Sequence, residues 1–204
     1  IDPEIIAALN RKHSYEITIC DVNPEVIVVD NVRGVLADDP EKVTDEIATA
    51  DSLAVSIGKN GHKHIVSSLS RGLLKREAVY PGRMLDIILA ENMRNADVFL
   101  RDALSDVLPV SYPLDKRVGL IETSIGKMVP FTVKHPDEDI LSVSAEAYNT
   151  LIVNKEAFKN SIPDVAGMEA KENIKAWVDR KLFIHNFGHV ATAYLGYKDH
   201  PGLI

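Results

Sequence analysis

Met84-Leu85-Asp86-Ile87-Ile88-Leu89-Ala90 is the stretch that decides the fold of this chain. A run that is apolar except for Asp86 matches a parallel strand covered on both faces, where the polar–apolar alternation of a half-exposed strand is lost. Upstream, Ser52-Leu53-Ala54-Val55-Ser56-Ile57-Gly58 is a second short apolar run, closed by glycine. Between the two lies a long amphipathic segment, His62 to Lys75. Downstream, the helical pattern Met93 to Leu108 carries Val98, Leu100, Leu104 and Val107, and Val118 to Glu122 returns to strand character. Strand and helix alternate between 52 and 122, which predicts βαβ units and a parallel sheet in an α/β domain.

Working outward, Pro3 to Lys12 reads as a helix with Ile5, Ile6 and Leu9 on one face and proline in its first turn. Tyr15 to Cys20 and Val26 to Val32 are β-rich runs separated by Asp21-Val22-Asn23-Pro24, a hairpin signal. Asp45 to Ala50 reads as a short helix with Thr44 as its N-cap. Val129 to Val133 and Tyr148 to Val153 add strand candidates. After Phe158 the character changes. Pro163 and Gly167 punctuate a loop, and Glu169 to Leu195 is helical in pattern. A boundary near residue 160 therefore divides a sheet domain, 1–160, from the start of a helical domain, 161–204.

Composition narrows the function classes. The chain has 204 residues, 46% hydrophobic and 26% charged, with a net charge of −7. An acidic balance gives no support to a general affinity for nucleic acid or anionic membrane. One cysteine, Cys20, leaves no internal disulfide, and no apolar run reaches membrane-spanning length. A cytoplasmic location is the expectation. No C-x-x-C, H-E-x-x-H or G-x-S-x-G occurs, and His62, His64 and His135 have no metal-ligand spacing, so no metal is expected. G-x-G-x-x-G and Walker-type loops are also missing.

The chemistry-bearing stretch is Arg180-Lys181-Leu182-Phe183-Ile184-His185-Asn186-Phe187-Gly188-His189. On an ideal helix, Lys181, Asn186 and His189 fall within an arc of roughly 140°. One flank then offers an amine, an amide and an imidazole to the same small molecule. That suits removal of a proton from an alcohol while donors hold the oxygen. Lysine is ordinarily a solvated surface residue, the plain reading here; the apolar residues after Lys181 leave a second reading open, a partly desolvated rim where its pKa falls. Gly188 costs about 1 kcal/mol in a helix interior, which suggests either a close approach or a kink. Ser56-Ile57-Gly58 and Glu91-Asn92 follow predicted strands, where open α/β sheets gather their ligands. They also fit ordinary strand-to-helix turns, with Asn92 as a cap.

Taken together, these segments resemble the long-chain polyol (mannitol) dehydrogenase family. The likeness is carried by Leu9-Asn10-Arg11-Lys12-His13-Ser14-Tyr15, Arg71-Gly72-Leu73-Leu74-Lys75-Arg76 and Ala90-Glu91-Asn92-Met93. Ile162-Pro163-Asp164-Val165-Ala166-Gly167-Met168 and the run Arg180 to Gly196 continue it in family order. The most specific element is lysine, four residues, asparagine, two residues, histidine. The resemblance implies a Rossmann-type parallel-sheet domain followed by a mainly α-helical domain, with catalysis between them. It implies Lys181 as general base, Asn186 and Asn92 as holders of the reacting oxygen, and His189 as a ligand of substrate hydroxyls. Ser56, Ile57, Gly58 and Glu91 would lie along the cofactor. The cofactor would be NAD, with NADP also compatible, and no metal would take part. The partner would be a small sugar-alcohol phosphate: mannitol 1-phosphate interconverted with fructose 6-phosphate.

Two departures qualify this expectation. Ile1 falls just after the family's second strand, and Ile204 precedes most of its helical domain, so the chain reads as an internal fragment with poor cofactor affinity of its own. Where the family has valine-aspartate-arginine, this chain has Ile125-Gly126-Lys127. Gly126 lacks the carboxylate, while Lys127 keeps a positive charge suited to a phosphate or an acidic sugar. A hexuronate (tagaturonate or fructuronate) reductase and a non-catalytic sugar-phosphate binder therefore stand as alternatives.

Overall fold

In the computed structural model, residues 2–127, 129 and 139–202 are described; the side chains of residues 59, 60, 62 and 63 lie outside that description. The apolar runs become a five-stranded sheet. Its strands are β3 (Ser52–Val55), β4 (Leu85–Leu89), β5 (Val118–Ile125), β7 (Leu151–Asn154) and β8 (Met168–Lys171), in that spatial order. β3, β4 and β5 are parallel, β7 runs antiparallel to β5, and β8 is parallel to β7. The parallel strands are linked by α3 (Gly58–Val79), then by α4 (Ala96–Ser105) and the short α5 (Leu114–Arg117). A second, three-stranded sheet has the order β2-β1-β6, formed by β1 (Tyr15–Cys20), β2 (Glu25–Val29) and β6 (Val143–Glu146). The expected hairpin is its β1–β2 pair.

The core explains the order of these elements. Leu85, Ile87 and Leu89 share one face of β4 by strand alternation. They cluster with Val118 and Leu120 of β5, Leu69 and Leu73 of α3, and Leu100 and Leu104 of α4. Burying a side chain of this kind contributes about 1.5–3 kcal/mol, so the cluster fixes the sheet on its helices. Asp86 points the other way. It accepts hydrogen bonds from Lys159 N at 2.8 Å, Asn160 N at 3.0 Å and Asn160 Nδ2 at 2.9 Å. The polar exception in the deciding stretch thus anchors the loop after β7. Its strand partner is Gly119, where an added Cβ would stand 2.1 Å from Asp86 Oδ1.

Several boundaries differ from the sequence reading. α1 spans Pro3–Lys12 as expected, capped by Asp2. α2 spans Pro40–Thr49 and is capped by Asp39, which accepts from Lys42 N; Thr44 lies inside the helix and donates to Pro40 O instead. Met168–Lys171 is not helical: the main chain there pairs with β7, and the helix begins at Ile174. A continuous helical run then comprises α6 (Ile174–Arg180), a π-helical segment (Lys181–Asn186) and α7 (Phe187–Asp199). The strand expected at Val129–Val133 lies, apart from Val129, outside the described residues, as does His135. His64 sits within α3, in the helical conformation expected of its segment. Among the described residues, no helix is long and apolar enough to cross a membrane.

Candidate active site

Because β3, β4 and β5 are parallel, their carboxyl ends converge on one edge of the sheet, and the turns that follow them meet there. After β3 the turn Ser56-Ile57-Gly58 is exposed, with Gly58 at φ +69°, a conformation that costs glycine little. After β4 come Glu91 and Asn92. Glu91 is buried, and its carboxylate faces away from solvent: it accepts from Ile57 N at 2.7 Å and Gly58 N at 3.2 Å. Those are the first amides of α3, the groups a helix would otherwise offer to an anion. Glu91 therefore positions the β3–α3 turn, and its own carboxylate satisfies amides that could have gripped phosphate.

Asn92 is not a helix cap. α4 starts four residues later, behind Asn95. The Asn92 side chain instead crosses to the long helix, where Oδ1 accepts from Lys181 Nζ at 2.8 Å. With Oδ1 occupied, the Asn92 amide keeps its N–H donors for another oxygen. Lys181 is half-buried, and burial holds its pKa below the ordinary lysine value because the charged form loses solvation.

The helix around Lys181 is wound differently from an α-helix. Lys181–Asn186 is π-helical, and π turns close after five residues rather than four. With more residues per turn than an α-helix, the segment brings Asn186 closer in angle to Lys181 than the roughly 140° of a regular α-helix. Asn186 is half-buried, whereas His189 is exposed and meets the His185 ring edge-on, with centroids 4.6 Å apart. Gly188 has nothing within 4 Å of the place a Cβ would take, so no described group makes a close approach there.

A cavity of about 360 Å³ opens beside this segment. Arg180, Lys181 and His185 line it from the helix, Ser124 and Gly126 from the end of β5, and Tyr148 from the loop before β7. Gly126 lies against Tyr148: an added Cβ would come within 3.0 Å of the ring. The aromatic ring thus occupies the space into which a carboxylate side chain at 126 would project. Lys127 turns its ammonium to the main-chain carbonyls of Glu146 at 2.8 Å and Tyr148 at 2.9 Å. It braces the cavity wall.

Beneath the site is a buried charge cluster that sequence reasoning missed. Glu122, on β5, is completely buried. It accepts from Asn95 N at 2.5 Å, in the loop that carries Asn92, and from Lys175 Nζ, on the helix that carries Lys181. Lys175 also reaches Asp97 at 3.1 Å. Burial works against the Lys175 charge, but its bonds to Glu122 and Asp97 prevail and hold its pKa above the ordinary value. One carboxylate thereby ties together the two elements whose side chains meet at Lys181 and Asn92. The only signal in the sequence was a charged residue closing an apolar strand. Among the described residues, no three His, Cys, Asp or Glu side chains are grouped to hold a metal ion.

A βαβαβ core with its polar side chains gathered outside the strand carboxyl ends is the arrangement of a Rossmann-type domain. The family model described as the mannitol dehydrogenase Rossmann domain matches residues 1–167, and the chain belongs to the mannitol dehydrogenase family. A solved structure, a PanE/ApbA family ketopantoate reductase from Ralstonia eutropha JMP134, superposes with a TM-score of 0.50 at 14% identity. The match covers 89% of this chain and 50% of that one, so the chain spans half the length of that structure; the likeness is one of fold.

Proposed function

We propose that this chain forms part of an NAD-dependent dehydrogenase that interconverts a polyol phosphate and a ketose phosphate, mannitol 1-phosphate and fructose 6-phosphate, with Lys181 as general base. The observation that carries the reading is the 2.8 Å contact in which Lys181 Nζ, a partly desolvated amine, donates to Asn92 Oδ1 at the sheet's carboxyl edge. The residues present fit one flank of a nicotinamide dinucleotide. The β3–α3 turn is exposed, open at Gly58 and held by Glu91, so it would border the cofactor as a surface, with its leading amides already bonded. When bound, the cofactor supplies the hydride acceptor.

This chain's own groups supply the rest. The Lys181 amine takes the proton of the substrate hydroxyl. The amides of Asn92 and Asn186 hold the oxygen as it becomes a carbonyl, and His189 binds neighbouring hydroxyls. No metal enters the proposal. Full-length protein with mannitol 1-phosphate and NAD should form NADH, and Lys181→Ala should lose about 10²- to 10⁴-fold in kcat/KM. An undiminished rate in that variant would remove Lys181 as the base.

A second reading, a hexuronate reductase, is favoured by Tyr148 filling the place of the missing carboxylate at Gly126. Assay of mannitol 1-phosphate against a ketohexuronate at equal concentration decides between the two.

A further inference from the structure

Charge recognition in this cavity does not fall to the residue the sequence suggests. Lys127 spends two of its three N–H donors on main-chain carbonyls and serves as a brace. Arg180 is placed differently. It lines the cavity one residue before Lys181, and its guanidinium lies over the Trp177 ring, 4.8 Å from the centroid. Trp177 also lines the cavity and meets Lys171 at 5.7 Å. Among the described residues, the Arg180 guanidinium has no hydrogen-bond or ion-pair partner, whereas Arg33, Arg83, Arg94, Arg101 and Arg117 each have a carboxylate. Stacking fixes the plane of the group while leaving its N–H edge unspent, the state in which arginine binds an oxyanion through two parallel bonds. Lys181 cannot take that role as well, since a base must be unprotonated to act. Glu146, the one carboxylate lining the cavity, has an interaction of its own.

We propose that Arg180, stacked on Trp177, is the anion anchor of the cavity and sets its preference for a substrate with an oxyanion terminus, phosphate or carboxylate, over a neutral polyol. The inference rests on the oxidoreductase reading for its kinetic test but has a binding readout independent of it. Trp177 is the single tryptophan of these 204 residues, so an anion that engages Arg180 should perturb its emission. Full-length protein titrated with inorganic phosphate should show a saturable change in tryptophan emission that Trp177→Phe removes. In Arg180→Gln the apparent Kd should rise about ten- to a hundredfold, the range of a charge-assisted contact. Arg180→Lys, which keeps the charge without the planar fork, should recover part of the loss.

In turnover, Arg180→Gln should lower the ratio of kcat/KM for mannitol 1-phosphate to that for mannitol at least tenfold, mainly through KM. A fall in the corresponding ratio for a ketohexuronate instead would identify the oxyanion as a carboxylate and still support the anchor. Equal phosphate titrations in wild type and Arg180→Gln would overturn the proposal, as would proportional losses on charged and neutral polyols. Absence of turnover in wild type, with phosphate still bound through Arg180, would count against the oxidoreductase reading and leave the anchor supported.

Discussion

In the proposed reaction, the chemistry at residue 181 depends on a solvation deficit. Burial disfavours the ammonium, so the amine loses its proton below the usual lysine value of about 10.4. The rate of alcohol oxidation should therefore rise with pH and level off below that value, and Lys181→Ala should lose this limb of the kcat/KM profile; a limb that survives the substitution would assign it to another group. The same shift has a stability consequence of definite sign. Between the lowered pKa and about 10.4 the unfolded chain holds more protons than the folded one, so stability should increase with pH across that window. Denaturant titrations of Lys181→Met should show this slope flattened. Glu122 acts beneath the amine through its two neighbours. Glu122→Ala would leave the Asn95 N–H without its acceptor and Lys175 with Asp97 as its remaining carboxylate, at a cost of about 1–3 kcal/mol. Urea unfolding should show that loss, and a change below about 1 kcal/mol would mean that the cluster is solvated and holds nothing in place.

At the level of elements, the π segment narrows the arc that the proposed trio spans. A regular α-helix would spread Lys181, Asn186 and His189 over roughly 140°, whereas the wider π turn narrows that arc and leaves His189 three residues, nearly one α-turn, beyond Asn186. Deleting the exposed Ile184 should let the helix relax to four-residue turns with the three groups still aligned, so measurable activity should persist. Inserting one alanine after Ile184 should rotate Asn186 and His189 away by about 100° and reduce activity to the level of Lys181→Ala. Equal loss in both variants would show that alignment is not what the π turn provides. No residue type marks such a turn, and for that reason the sequence spoke for a plain helix. β4 and β5 were legible because burial on both faces writes a long apolar run. Val143-Ser144-Ala145-Glu146 and Met168-Glu169-Ala170-Lys171 were not, since each is four residues long, lies at a sheet edge and takes its conformation from main-chain pairing. Lys181 stood out in the sequence by its spacing to Asn186 and His189, and Asn92 by its place after a strand; their contact with each other, at 2.8 Å, is what the structure adds. Glu122, Lys175 and Arg180 acquire meaning only from partners 27 or more residues away in sequence or from a stacked ring.

Across the whole molecule, the two edges of the large sheet are built for different ends. The carboxyl edge holds the cavity, the desolvated amine and the exposed turn. The amino edge is closed by charged groups turned inward. Arg76 of α3 is buried there and donates to four main-chain carbonyls: Ala48 and Ala50 at 2.8 Å, Arg83 at 3.2 Å and Met84 at 2.7 Å. It joins the end of α2, the approach to β3 and the approach to β4 through one planar group. Burial, reinforced by the nearby Arg83 charge, lowers its pKa, but arginine stays protonated at any ordinary pH. The stabilisation it contributes should therefore not titrate. Arg76→Met retains much of the side-chain volume and leaves four carbonyls without their donor. Each unsatisfied group costs about 1–3 kcal/mol, some of it recovered by water entering from the small cavity alongside. A net loss of about 3 kcal/mol in a chain of this size corresponds to a fall of about 6–12 °C in Tm. Because the clamp lies across the sheet from Lys181 and Asn92, KM for the proposed polyol phosphate substrate should stay within twofold below the melting range. Calorimetry and steady-state kinetics on the same preparation decide it: a large KM change with little change in Tm would mean that the amino edge communicates with the site rather than merely holding the sheet together.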